Sequence, residues 1–412
     1  MQIPAELVSL IIDNVIECCS PPEMSATLRA CCLVDHVWCA IAQPYIYSRF
    51  TRYKQEYRNT PFIQTLLGSK HLQSLTKALW IDENWFIENG PEKDLLFKLL
   101  PQLHTLGIWA SGCSRLEDLQ SLERVVISTA RLTALHLQSL DMFPIGLFYD
   151  WVALEELQIN NTTLAGFSQS TGKPNESYPI LHRRPQIRLL RMEFNRSTEL
   201  RSLAWLKHPD CALDFSSIKT LHLDWQISSK AFYEGDLLKE FTSFCARTVE
   251  DILIQPDPGE WVDAGLVQRL TQIRVLRFQC SEDAPEILDV IPWMTAFLST
   301  LPHPEILEDL WIPGLLPKQP EGLEGKNDDK ESLEAYRDLA SLLASAKFDN
   351  IRNLWIVTFE EHLKLSNEGA DLEQVFRQLL LGVYEAGRKV CVLDYGRLTV
   401  HGSETWFYGL LE

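Results

Sequence analysis

The stretch Leu154-Glu155-Glu156-Leu157-Gln158-Ile159-Asn160-Asn161-Thr162-Thr163-Leu164 decides the fold. It opens with an apolar residue, two spacers, a second apolar residue, one spacer and a third. Leu157 and Ile159 alternate with polar neighbours, as side chains of a short strand do. The same spacing recurs at Leu103-Leu106-Ile108, Leu132-Leu135-Leu137, Ile187-Leu190-Met192, Ile218-Leu221-Leu223, Val249-Ile252-Ile254, Ile273-Leu276-Phe278, Leu307-Leu310-Ile312 and Ile351-Leu354-Ile356. Leu79-Trp80-Ile81 is a weaker first copy, and Val390-Cys391-Val392 closes the series. Middle residues return about every 30 residues, from 22 (Leu135 to Leu157) to 44 (Leu310 to Leu354). Between copies, the runs 94–100, 236–245, 262–270, 291–301, 332–346 and 371–386 have helical spacing. Strand and helix therefore alternate, which predicts an α/β chain of parallel strands joined by helical crossovers. A unit this short cannot bury its own apolar face, so each must lean on its neighbours.

The period and the 154–164 copy resemble the leucine-rich repeat, whose solenoid carries strands on a concave face and helices on a convex one. The Asn or Cys usual after the repeat strand is matched at Asn195 but replaced by Ser111, Thr162, Gln226 and Ser281. The resemblance therefore implies irregular repeats with incomplete side-chain ladders. A doubly wound nucleotide-binding sheet would show the same alternation. Against it, the chain has no Gly-x-Gly-x-x-Gly turn and no phosphate-binding Gly-x-x-x-x-Gly-Lys-Ser/Thr loop, and Gly322-Leu323-Glu324-Gly325-Lys326 is too short and acidic to cradle phosphate.

In such a solenoid, the residue between the paired apolar strand positions points to the concave face. That column reads Trp80, Gly107, His136, Gln158, Arg191, His222, Leu253, Arg277, Trp311 and Trp355, with Trp109 one strand position beyond it. Trp and Arg are the residue types that anchor protein interfaces. Trp80, Trp109, His136, Arg191, His222, Arg277, Trp311 and Trp355 are the candidate target-binding residues. The competing reading is a solvated face of mixed residues. A basic centre at Arg191 and Arg277 would suit acidic or phosphorylated segments.

The first fifty residues follow a different rule. Leu7, Val8, Leu10, Ile11, Ile12, Val15 and Ile16 recur at helical spacing after Pro4, predicting a helix over about residues 4–18. Its apolar residues form two stripes, Leu7/Leu10/Ile11 and Val8/Ile12/Ile16, more than one core requires. Further short helices are predicted over 25–33 and 34–42, the last ended by Pro44. The string Ile3-Pro4-x-Glu6-Leu7, Ile11-Ile12, Leu28-Arg29-Ala30-Cys31-Cys32-Leu33-Val34, Trp38 and Ala42-Gln43-Pro44-Tyr45-Ile46-Tyr47 resembles an F-box, especially the F-box-like variant frequent in fungi. It departs in having Ile3 where Leu is commonest. The resemblance implies binding to the Skp-type adaptor of a cullin-based ubiquitin ligase. The matching positions are Ile3, Pro4, Leu7, Ile11, Leu33, Val34 and Trp38, some of which must be internal core.

The chain has 412 residues and a formal charge of −18, so nucleic-acid and membrane-surface partners are not expected. Residues 281–372 hold 19 acidic and 7 basic residues, and within them 317–334 reads as an acidic loop or insertion. No Cys-x-x-Cys hook, His-Glu-x-x-His or Gly-x-Ser-x-Gly motif occurs, so no metal, cofactor or catalytic residue is expected. The start lacks a secretory pattern, which implies reduced thiols, a cytoplasmic or nuclear site and chance glycosylation sequons. The organisation read from sequence is an F-box-like helical module at 1–50, a connecting segment at 51–74 and a solenoid at 75–412. The function expected is a non-catalytic substrate-recognition adaptor of a cullin-based ubiquitin ligase. Its repeats would hold an unidentified protein target. A leucine-rich-repeat scaffold without ligase association is the alternative.

Overall fold

The computed structural model describes residues 3–18, 21–50, 68–82, 99–109, 131–140, 142–168, 173–175, 184–194, 202–225, 241, 244–245, 247–255, 271–278, 287–314, 326–358 and 372–394. The chain forms two compact units, Met1–Gln158 with Thr399–Glu412, and Ile159–Leu398.

The first unit opens with three helices, α1 (Ala5–Cys18), α2 (Pro21–Cys31) and α3 (His36–Ser48). The Pro4 carbonyl starts α1 by accepting the N–H groups of Leu7 and Val8, both at 3.1 Å. Asp35 caps α3, its carboxylate accepting from Val37 N at 2.7 Å and Trp38 N at 3.1 Å. Contrary to the sequence expectation, α3 runs through Pro44 to Ser48. A proline inside a helix removes a single N–H donor. On either side of it, Ile41, Ala42 and Ile46 pack in a core with Val8, Ile12, Leu28 and Cys31.

α3 feeds directly into a two-residue strand, Arg49–Phe50, which pairs in parallel with Ala78–Asp82. This strand was invisible to the apolar pattern, and it joins the helices to the strand series. A short helix, Lys70–Leu75, falls within the expected connecting segment, its first turn capped by the Ser69 hydroxyl. His71 Nε2 lies 3.2 Å from Gln43 Oε1 of α3, a second tie. Strands Ala78–Asp82, Thr105–Trp109, Ala134–Gln138 and Glu156–Asn160 follow in chain order.

The second unit continues the rule with Leu189–Phe194, Thr220–Trp225, Asp251–Gln255, Val275–Phe278, Asp309–Pro313, Asn353–Thr358 and Lys389–Asp394, all parallel neighbours. Register follows the sequence pattern: Leu190 faces Leu221, which faces Ile252, then Leu276, Leu310, Leu354 and Val390. The first and third apolar residues are buried as well, for example Ile218 and Leu223 around Leu221. Burying each such Leu contributes roughly 1.5 to 3 kcal/mol.

The strands are also joined by a repeated backbone device. The carbonyl just before one strand accepts two successive N–H groups from the next repeat. Lys77 O takes His104 and Thr105, His104 O takes Thr133 and Ala134, and Thr133 O takes Glu155 and Glu156. In the second unit, Arg188, Lys219, Glu250, Arg274 and Glu308 each do the same. Side chains of that column alternate in charge: Lys219 pairs with Glu250, Arg274 with Glu308, and Arg352 with Glu308 at 3.4 Å.

Helices pack on the far side of the second unit's strands. In Ile287–Ser299, Trp293 and Phe297 meet Phe278 edge-on, with centroids at 5.5 and 5.2 Å. The expected acidic loop at 317–334 is corrected in its second half, because helix Lys326–Ala344 begins inside it. The runs at 94–100 and 236–245 lie largely outside the described residues, and 262–270 entirely so.

Candidate functional site

The helical module divides α1 as its two stripes suggested. Val8 and Ile12 are fully buried, whereas Leu7, Leu10 and Ile11 are 51%, 57% and 42% exposed. Ile3 and Pro4 continue that exposed face at the helix entrance, and Leu33 and Val34 stand out at the turn between α2 and α3, with 88% and 62% exposed. Of the seven residues expected to meet the adaptor, six are therefore exposed. Trp38 is half-buried and packs against the module core. Leu10 belongs with the exposed set, and its place in the Leu7/Leu10/Ile11 stripe was the signal for it. Large apolar side chains left exposed together on a small surface mark an interaction site.

The strand face of the first unit carries a stacked group. Trp80 lies across Gly107 of the next strand, so closely that a Cβ there would fall 2.1 Å from the Trp80 ring. The gap in the column at Gly107 is the seat for that indole. His136 meets Trp80 edge-on at 4.8 Å, and its Nε2 lies 3.3 Å from Glu156 Oε1. Glu156 also accepts from Gln158 Nε2 at 2.9 Å. Trp109 is half-buried at the end of its strand.

In the second unit the column forms a polar cluster within the protein. His222 Nδ1 accepts from Arg191 Nε at 3.1 Å. The proton of the neutral ring is thereby assigned to Nε2, which faces Arg277 Nη1 at 3.2 Å and Asp251 Oδ1 at 3.8 Å. Arg277 Nη2 pairs with Asp251 Oδ2 at 2.9 Å, and its guanidinium stands 5.6 Å from the Trp311 ring centre. Trp311 stacks on Trp355 at 4.9 Å. Burial pushes the His222 ring down to about 4, with Arg191 and Arg277 adding to the effect and Asp251 opposing it.

His222, Arg277 and Trp311 are buried, while Arg191 and Trp355 are half-buried. The structure thus brings five of the eight candidate target-binding residues together, but three of the five are interior. Sequence reasoning missed Asp251, the counter-charge of the cluster. It stands at the entrance of its strand, outside the column that the pattern marks.

Among the described residues no helix is long and apolar enough to cross a membrane, and no group of three His, Cys, Asp or Glu side chains is placed to hold a metal ion. No protein-family model matches the chain, and no curated protein matches its sequence. Among solved structures, the leucine-rich repeat-containing protein LegL7 from Legionella pneumophila is similar at 12% identity and a TM-score of 0.43, covering 81% of this chain and 97% of that one.

Proposed function

We propose that the chain is a non-catalytic recruiting adaptor of a cullin-based ubiquitin ligase, acting in the cytoplasm or nucleus. Its N-terminal helices bind a Skp-type adaptor, and irregular leucine-rich repeats hold a protein target. The observation that carries this reading is the division of α1 into one stripe inside the module core and a second, equally apolar stripe left exposed. The chain needs no nucleophile of its own, because holding target lysines beside a ligase-bound ubiquitin raises their effective concentration. Target contact falls on the half-buried Trp80 and Trp109 in the first unit and on the half-buried Arg191 and Trp355 in the second, where the buried His222, Arg277 and Trp311 hold the strand face in shape.

A scaffold without ligase association is the second reading. The continuity of α3 with the strand Arg49–Phe50 favours it, since helices so joined also serve to close the end of a strand series. Co-purification of the full chain with a Skp-type adaptor separates the two. The ligase reading expects capture by the parent chain and loss of capture in Leu7→Asp/Ile11→Asp. Failure of the folded parent chain to bind removes the ligase reading and leaves the scaffold.

A further inference from the structure

The last strand, Lys389–Asp394, is entered through a tight corner in the second unit. Helix Leu381–Glu385 runs out at Gly387, whose φ of +76° is one that L side chains rarely adopt, and the Gly387 N–H donates to the Tyr384 carbonyl at 2.9 Å. Arg388 follows, and its side chain reaches the residues just beyond helix Lys326–Ala344. Arg388 Nη2 donates to the Ser345 carbonyl at 3.2 Å and to Asp349 Oδ1 at 3.3 Å. The Arg388 side chain is only 5% exposed, whereas that of Asp349 is 71% exposed. Arg388 Nη1 and Ser345 Oγ are both buried, and neither finds a hydrogen-bond partner among the described residues. The two atoms belong to one place: Nη1 shares its carbon with Nη2, and Nη2 holds the carbonyl of the same Ser345.

Charge is unbalanced at this corner as well. The column before the strands alternates in sign from Lys219 through Glu250, Arg274 and Glu308 to Arg352, and then repeats a cation at Arg388. Arg352 and Arg388 precede Asn353 and Lys389, which face each other in register. Glu308 is already shared by Arg274 and Arg352. Burial pulls the Arg388 guanidinium below its ordinary value, and Asp349, which opposes this, stands largely in solvent.

We propose that Arg388 Nη1 and Ser345 Oγ hold a small inorganic anion, chloride in size, where the corner after helix Lys326–Ala344 meets the last strand. A charged N–H left buried without a partner is strongly destabilising. A water that accepts from Nη1 still has two protons to place. The Ser345 carbonyl already accepts from Phe348 N at 3.1 Å and from Arg388 Nη2, which fills both its lone pairs, and Asp349 Oδ1 is engaged by Nη2 as well. An anion asks only for donors, and the guanidinium and the hydroxyl are donors. Its charge also answers the repeated cation of the column. The site rests on neither partner assignment made above.

The test is thermal unfolding of the full chain while sodium chloride replaces sodium gluconate at constant ionic strength. The parent transition is expected to rise saturably, by about 2 to 4 °C once chloride exceeds its dissociation constant several-fold. Arg388→Met, which keeps an apolar stem, is expected to abolish the rise. Ser345→Ala removes a single oxygen, so it tests the site without endangering the fold, and is expected to lose most of the rise. Circular dichroism on each variant confirms that it remains folded. A parent transition indifferent to chloride, as a water in the site would give, overturns the proposal. So does an equal rise in the parent and Ser345→Ala, which places the chloride elsewhere.

Discussion

The helical module and the second unit's strand face invert the usual assignment of residue types. The module leaves Leu7, Leu10, Ile11, Leu33 and Val34 exposed, while the strand face buries His222 and Arg277. The difference teaches where each surface finds its partners. The polar residues find partners within the chain, Arg277 in the Asp251 carboxylate and the neutral His222 ring in Arg191. The exposed apolar residues of the module lie uncovered among the described residues, outside the core that Val8, Ile12 and Leu28 fill. A buried charge here is a matter of internal architecture, and an exposed leucine is a matter of association.

Substitutions should separate these roles, with the interior costing most. Leu221→Asp places a carboxylate between Leu190 and Ile252 at a position with no exposure, and should cost more than about 4 kcal/mol. Loss of the cooperative urea transition is the expected readout, and a transition like the parent's removes Leu221 from the core.

Arg277→Ala leaves the Asp251 carboxylate without its ion-pair partner and should cost about 3 to 5 kcal/mol. Adding Asp251→Asn should recover a large part of that loss, and additive effects in the double variant would show the pair is uncoupled.

The third prediction concerns pH. His222 binds a proton less readily when folded, near 4, than at its ordinary value of 6.5. The unfolded chain therefore takes up more protons between those values, so stability is complete above about pH 6.5 and falls as pH drops toward 4. The contribution at stake is on the order of 3 kcal/mol. In urea titrations across that window, His222→Gln should show a shallower decline than the parent, and equal slopes would contradict the assignment.

In the first unit, Gly107→Ala forces the Trp80 ring aside and should cost about 1 to 3 kcal/mol. Trp80→Ala in the same chain should relieve that clash, so the second substitution costs less there than alone. The smallest stability effect belongs to the module surface. Leu7→Asp/Ile11→Asp should change unfolding free energy by less than about 1 kcal/mol, yet abolish capture by a Skp-type adaptor. A large stability loss would move those residues from the surface role to the core.

The strand series was legible because burial leaves a regular trace. The middle residues from Leu79 to Val390 all lie on strands, and the register sets one opposite the next from Leu79 to Leu135 and from Leu190 to Val390. The two stripes of α1 were legible for the same reason. What the sequence hid depends on company from far along the chain. Arg277 finds His222 fifty-five residues away, and Arg191 finds it thirty-one residues away. No local period announces such pairs, so residues read as an open face proved partly interior. The strand Arg49–Phe50 is too short to alternate, and helix Lys326–Ala344 begins in residues whose polarity reads as a loop.

The paired N–H groups gathered by each pre-strand carbonyl bear on how such a chain could grow. Carbonyls of Lys77, His104, Thr133, Arg188, Lys219, Glu250, Arg274 and Glu308 perform one task with five different kinds of side chain. The hinge between one repeat and the next is thus written in atoms that every residue type possesses. A duplicated segment would arrive already fitted to its neighbours, and the intervening stretch could lengthen without renegotiating the junction. The spread from 22 to 44 residues between successive copies is the latitude that such a joint allows a lineage.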